Sequence, residues 1–216
     1  MKPEHLELTL IKLDNSLTTY CEQYNINDNI DVIFLGSQSI LFYHQNIKNN
    51  IIIQSYEVDI VLSFSQELKK HFNKELESIL NNLDSAYGYG SNLHDSEDFY
   101  IDNMTEIDDD KEHTKKWPKN WLNRAYITQK ENKKINFICL DKHDVTILKL
   151  IANREKDLEY VQTLIQGSLL KKKKLFRILK ECSHVIDNKR INIIKKKIRY
   201  FYSLPQLNIL NDKQDK

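Results

Sequence analysis

Cysteine is scarce and badly placed for cross-linking: the 216-residue chain has three, Cys21, Cys139 and Cys182, an odd number set far apart. That excludes a disulfide framework and any Cys-x-x-Cys metal site. The seven histidines include no i,i+4 pair and no His-Glu-x-x-His run, so no zinc centre is expected. There is no apolar run of the roughly eighteen residues that spanning a membrane requires. The start, Met1-Lys2-Pro3-Glu4-His5, leads into a mixed charged segment, so no secretory signal is expected. Repeats of solenoid length are also missing. A cytoplasmic, enzyme-sized chain with no membrane partner is therefore expected. Its 40% hydrophobic content is enough for the core of one large domain or two small ones.

The chemistry concentrates around residues 32–60. The apolar run Val32-Ile33-Phe34-Leu35 closes on Gly36-Ser37, and twenty residues later comes Glu57-Val58-Asp59-Ile60. A strand has a side-chain period of two, so Glu57 and Asp59 project from one face, where two carboxylates repel unless a cation lies between them. Magnesium suits that gap, since it takes oxygen ligands and is usually completed by substrate phosphates. A glycine lets the backbone approach a triphosphate, and a hydroxyl at a helix start can cap the helix and bind an anion. The bland counterpart is a strand-turn-helix with two solvated carboxylates on an edge strand.

Leu35-Gly36-Ser37 followed by Glu57-Val58-Asp59-Ile60 resembles the nucleotidyltransferase superfamily pattern. Two departures are visible: the spacer is longer than the family's usual one, and Glu57 stands where aspartate is commoner. Further pieces are similar to abortive-infection (AbiEii-like) toxin-type nucleotidyltransferases. They are Trp117-Pro118-Lys119-Asn120-Trp121-Leu122-Asn123-Arg124, Asp141-Lys142-His143-Asp144 with Lys149, and Arg154-Glu155-Lys156-Asp157. The resemblance implies that Glu57 and Asp59 are catalytic and hold Mg2+ (or Mn2+), with a nucleoside triphosphate as substrate. It also implies that Gly36 and Ser37 bind the nucleotide, and that the setting is a toxin–antitoxin or phage-defence system with an antitoxin partner.

The later element has a reading of its own. Lys149 and Asp157 are eight residues apart and would share a face of an unbroken helix. Lys149 can meet a triphosphate as a point charge, and Asp157 can orient it or assist a nucleophile. Arg154 joins them as a nucleotide-binding candidate. The alternative is a surface ion-pair set of Arg154, Lys156 and Asp157. The apolar neighbours Ile147, Leu148, Leu150 and Ile151 imply a half-buried lysine, which needs a partner.

A coarse pass places these motifs on elements. Leu6 to Leu17 suggests an amphipathic first helix, stopping before Asn25-Ile26-Asn27-Asp28-Asn29. Val32–Leu35 is a short strand, Ser37–His44 a helix, and Ile51–Leu62 an extended strand. Phe64–Leu83 is a helix begun by Ser63 or Ser65. The alternation around Ile135, Phe137 and Cys139 predicts another strand ending at Asp141, which makes Asp141 a candidate third metal carboxylate. Residues 84–120 hold Asp95, Glu97, Asp98, Asp102, Glu106, Asp108, Asp109, Asp110 and Glu112. So polar a segment reads as a solvated loop, or as a lid at the site's edge. Trp117 and Trp121 form either one exposed binding face or the anchor that returns the chain to the core. From Asp144 onward the spacing predicts helices, and the tail after Pro205 reads as disordered. The fold class expected is α/β (α+β): residues 1–140 a nucleotidyltransferase-like mixed sheet with flanking helices, residues 141–216 a C-terminal helical bundle.

Charge separates the same two stretches. Residues 1–140 carry 14 Lys and Arg against 22 Asp and Glu, net −8, while residues 141–216 carry 18 against 9, net +9. An acidic metal-binding half and a basic phosphate-collecting half fit that split. The densest basic features are Lys171 to Lys174 and Lys195 to Lys197 with Arg199, which have the right sign for RNA, although lysine runs also serve as solvated faces. Three readings therefore stand: a nucleotidyltransferase, a catalytically inactive nucleotide- or partner-binding module, and a basic RNA-binding protein.

Overall fold

The computed structural model describes residues 3–36, 57–103, 105, 115–129 and 134–208. The expected helix Ser37–His44, the first part of the strand expected from Ile51, and the side chain of Leu6 lie outside what is described. The chain divides into two compact units. The first takes in Met1–Phe42, Gln54–Asp110 and Tyr126–Cys139; the second takes in Tyr43–Ile53, Lys111–Ala125 and Leu140–Lys216.

The first unit is a five-stranded mixed sheet with helices. Its strands are β1 (Ile30–Phe34), β2 (Glu57–Ser63), β3 (Tyr100–Asn103), β4 (Tyr126–Gln129) and β5 (Ile135–Cys139), in the order β3-β2-β1-β5-β4. β1 runs antiparallel to β2, with Phe34 opposite Ile60, and parallel to β5, with Phe34 beside Cys139. As the central strand it carries Ile30, Val32, Ile33 and Phe34, all buried, which is what a strand covered on both faces requires. Helix α1 (Pro3–Gln23) buries Leu13, Leu17 and Cys21 completely. These recur every four residues and form a stripe along one helix face. Each such burial stabilises by about 1.5–3 kcal/mol for the large aliphatic side chains. Helix α2 (Gln66–Tyr87) begins at Ser65, whose side chain accepts from the Leu68 N–H, so Ser65 is the cap.

The segment expected to be a solvated loop is in part regular structure. Residues 84–87 complete α2, a short helix α3 (Asn92–Glu97) follows, and β3 pairs parallel to β2. Leu93, Phe99 and Ile101 bury themselves between the acidic residues. Three apolar side chains at the right positions are enough to seat an edge strand, whatever the average polarity of the stretch.

The second unit is helical. It comprises a 3-10 turn (Leu122–Arg124) and helices α4 (Lys142–Ala152), α5 (Glu155–Gln166), α6 (Lys172–Glu181) and α7 (Asn188–Phe201). Ile147, Leu150, Val161, Leu164, Ile165, Leu175, Ile178, Leu179, Ile194 and Ile198 are fully buried. Arg124 grips Asp144 with Nε and Nη2 at 2.8 and 2.6 Å and reaches Glu181 with Nη1 at 3.1 Å. The charge-assisted bonds from Asp144 hold this guanidinium firmly protonated, outweighing its burial. Trp117 is buried and meets the Trp121 ring edge-on at 4.7 Å, so the tryptophans anchor the chain to this unit. The tail after Pro205 is tied down at its start: the Leu207 N–H donates to the Gln166 carbonyl at 2.8 Å, and the Gln166 amide donates to the Pro205 carbonyl at 2.8 Å. Among the described residues no helix is long and apolar enough to cross a membrane.

Candidate active site

Strand geometry builds the acidic centre. In β2, Val58 and Ile60 are buried while Glu57 and Asp59 are half-exposed on the opposite face. β3 lies alongside in parallel register, which sets Tyr100 beside Glu57 and Asp102 beside Asp59. Laterally paired residues face the same way, so Asp102 joins the two carboxylates. One oxygen from each of Glu57, Asp59 and Asp102 falls within 4.8 Å of the others. Like charges this close repel by about 1 kcal/mol per pair even at water's dielectric constant. The Tyr100 hydroxyl donates to Glu57 Oε2 at 3.0 Å. Desolvation, that bond and the nearby carboxylates push the Tyr100 phenol up to about 12. The Tyr100 ring is held edge-on by His94 at 5.3 Å and Tyr89 at 5.4 Å.

Gly36 stands at the end of β1. The β1–β2 ladder continues one rung past the strand, since the Leu35 N–H donates to the Asp59 carbonyl at 3.0 Å. The next residue turns at φ +69°, a left-handed conformation that favours glycine. Gly36 is thus one residue beyond the backbone partner of Asp59. Ser37 lies outside the described residues.

In the second unit, Lys149 and Asp157 meet without sharing a helix. α4 ends at Ala152 with Asn153 as its cap, at φ +61°, and α5 begins at Glu155, so the two residues stand on successive helices with a left-handed break between them. The break folds Lys149 Nζ onto Asp157 Oδ1 at 2.9 Å, while Arg154 Nε reaches Asp157 Oδ2 at 2.6 Å. Asp157 is fully buried. Burial raises its carboxyl, but the Arg154 and Lys149 hydrogen bonds outweigh it and hold the group below the usual carboxylate range. Lys149 also lies 4.8 Å over the Tyr160 ring. The buried carboxylate is thus clamped between two cations.

Asp141 is the N-cap of α4. Its Oδ1 accepts from the His143 N–H at 2.9 Å and lies 2.8 Å from His143 Nδ1, while its Oδ2 accepts from Lys174 Nζ at 2.8 Å. The Lys171 N–H donates to His143 Nε2, so Nδ1 carries the proton given to Asp141. Burial works against the Asp141 charge, but these bonds win and hold the carboxyl well below its usual range. The carboxylate that gathers with Glu57 and Asp59 is Asp102. Sequence reasoning placed Asp102 among nine acidic residues of one polar stretch, and its only local signal was the Tyr100-Ile101-Asp102 alternation.

The family model described as "Nucleotidyltransferase of unknown function (DUF6036)" matches residues 9–203. The chain belongs to this nucleotidyltransferase family. No curated protein and no solved structure matches it. The family match covers Glu57, Asp59, Asp102, Lys149, Arg154 and Asp157. A general role in nucleotidyl transfer follows, and with it a nucleotide as substrate. Nucleotidyltransferases generally use divalent metals, and the three carboxylates are the hard oxygen donors that Mg2+ or Mn2+ prefers.

Proposed function

We propose that this nucleotidyltransferase transfers a nucleoside monophosphate from a nucleoside triphosphate to an acceptor hydroxyl. The convergence of Glu57, Asp59 and Asp102 on one sheet face supports this most directly. A divalent cation there would be held by these carboxylates and would neutralise charge developing on the phosphates. The backbone at Gly36 and the hydroxyl of Ser37 bind the triphosphate. In the second unit, taken by itself, Lys149 and Arg154, both bonded to Asp157, are the candidates for contact with a nucleotide's phosphate oxygens. The acceptor oxygen bonds to the α-phosphorus, the bond to the bridging oxygen breaks and pyrophosphate leaves. The hydroxyl proton passes to a carboxylate of the cluster. Positioning and electrostatics supply most of the rate.

The three later sequence pieces support the abortive-infection toxin subtype, with an antitoxin partner in a bacterial cytoplasm. The Asn, Lys and Ile bias fits a strain-specific Helicobacter pylori source. The test is label transfer from each of four α-labelled triphosphates to cellular RNA, nucleotides or protein, with Mg2+ or Mn2+. Wild type is compared with Glu57→Ala/Asp59→Ala, and transfer lost in the variant is the expected result. A second reading is favoured by the Tyr100 bond that occupies Glu57 Oε2: a nucleotide- or partner-binding module without turnover. It predicts nucleotide binding with no transfer from wild type or variant.

A further inference from the structure

The exposed face of α7 is basic, and among the described residues the acidic side chain next to it is that of the N-cap Asp187, which accepts from the Arg190 N–H. Ile191, Ile194, Ile198 and Phe201 are buried, which leaves Lys189, Asn192, Ile193, Lys196, Arg199 and Tyr200 on the opposite, exposed side. From Lys189 to Tyr200 this stripe runs roughly 16 Å at 1.5 Å per residue. α7 has no acidic residue, and the one on α6, Glu181, is held by Arg124. Among the described residues, none of Lys189, Lys196 and Arg199 is in an ion pair, nor are Lys172, Lys173 and Arg177 on α6. By contrast, the interspersed Arg190 and Lys197 are spent internally, on the Ile151 carbonyl at 2.9 Å and Asn153 Oδ1 at 2.6 Å. The two helices lie antiparallel, because Arg199 sits 5.7 Å over the Phe176 ring and Lys172 sits 5.2 Å over the Tyr202 ring. The α6 cations thereby extend the same surface. Tyr200 is 60% exposed among them.

We infer that the α6–α7 face binds single-stranded nucleic acid, with Lys189, Lys196 and Arg199 on backbone phosphates and Tyr200 stacked on a base. Such cations supply affinity without sequence specificity, and an exposed ring among them supplies the stacking platform that only an unpaired base can use. A lipid surface fits less well, because the apolar side of α7 is consumed by the core and leaves no face to insert. Within the transfer reading this names the acceptor class, and in that respect alone it rests on that reading.

The experiment is anisotropy of a fluorescent 20-nucleotide single-stranded RNA with the full chain, without triphosphate, across a salt series. Wild-type affinity should fall steeply with salt. Lys189→Gln/Lys196→Gln/Arg199→Gln should weaken binding at least about tenfold at low salt, and should flatten the log–log slope by about 2. Tyr200→Ala should weaken it about five- to one-hundredfold with the slope unchanged. Equal unfolding midpoints for the variants would keep folding out of the comparison. Comparable binding of DNA single strands of the same sequence would support the inference. It is overturned by no RNA binding in wild type, by unchanged binding in the triple variant, or by tighter binding of duplex. It is also overturned if the triple variant loses only binding to phosphatidylserine vesicles. No triphosphate is present, so failure here and failure of label transfer are read separately.

Discussion

Tyr100 donates its hydroxyl proton to Glu57 from the neighbouring parallel strand, at 3.0 Å, so one oxygen of the leading carboxylate is oriented by a phenol. In the proposed reading Glu57 would hold the divalent cation, and a residue that orients such a ligand is felt at the metal. Tyr100→Phe should weaken Mn2+ binding roughly tenfold, read by calorimetry or electron paramagnetic resonance. Unchanged affinity would reduce the hydroxyl to packing.

Asp102 adds a third negative charge beside Asp59. In metal-free buffer, Asp102→Asn should relieve repulsion and raise the melting temperature by about 2–4 °C, the shift that roughly 1 kcal/mol produces in a chain of this size. Adding Mg2+ should then stabilise the variant less than wild type. Equal stabilisation would remove Asp102 from the centre.

The Lys149–Asp157–Arg154 cluster should respond unequally to its members. Asp157→Ala leaves the half-buried Lys149 without its carboxylate and should cost about 3–5 kcal/mol in urea unfolding. Lys149→Met should cost clearly less, because Asp157 keeps Arg154. Equal costs would show that Arg154 alone does not compensate the buried Asp157 charge.

Acid stability carries a defined sign. Asp141 and Asp157 both titrate below their ordinary value in the folded chain. Their contribution is therefore fully present above the unfolded carboxyl value of about 4 and is lost as pH falls from there through the folded values. Unfolding free energy measured between pH 6 and pH 2 should decline below about pH 4. Asp141→Asn and Asp157→Asn should each flatten that decline, and an unaltered profile in both would place the acid-labile groups elsewhere.

Local rules were legible in the chain. The period of two put Glu57 and Asp59 on one face, a serine cap was readable at Ser63 or Ser65, and the four C-terminal helices announced themselves by apolar spacing. Each of these depends on residues within a few positions of one another, so the linear order carries the information. What joined Asp102 to that pair was decided elsewhere. Forty-three residues separate Asp59 from Asp102, and only the parallel pairing of β2 with β3, paid for by burying Phe99 and Ile101, makes them neighbours. The same holds for Lys149 and Asp157, which met through a left-handed break at Asn153 rather than along one helix. Arg124 and Asp144, from two separate sequence pieces, likewise became one buried ion pair. The sequence by itself determined which side chains share a face. Tertiary structure decided which faces meet, because strand pairing and helix packing depend on contacts between residues far apart in the chain.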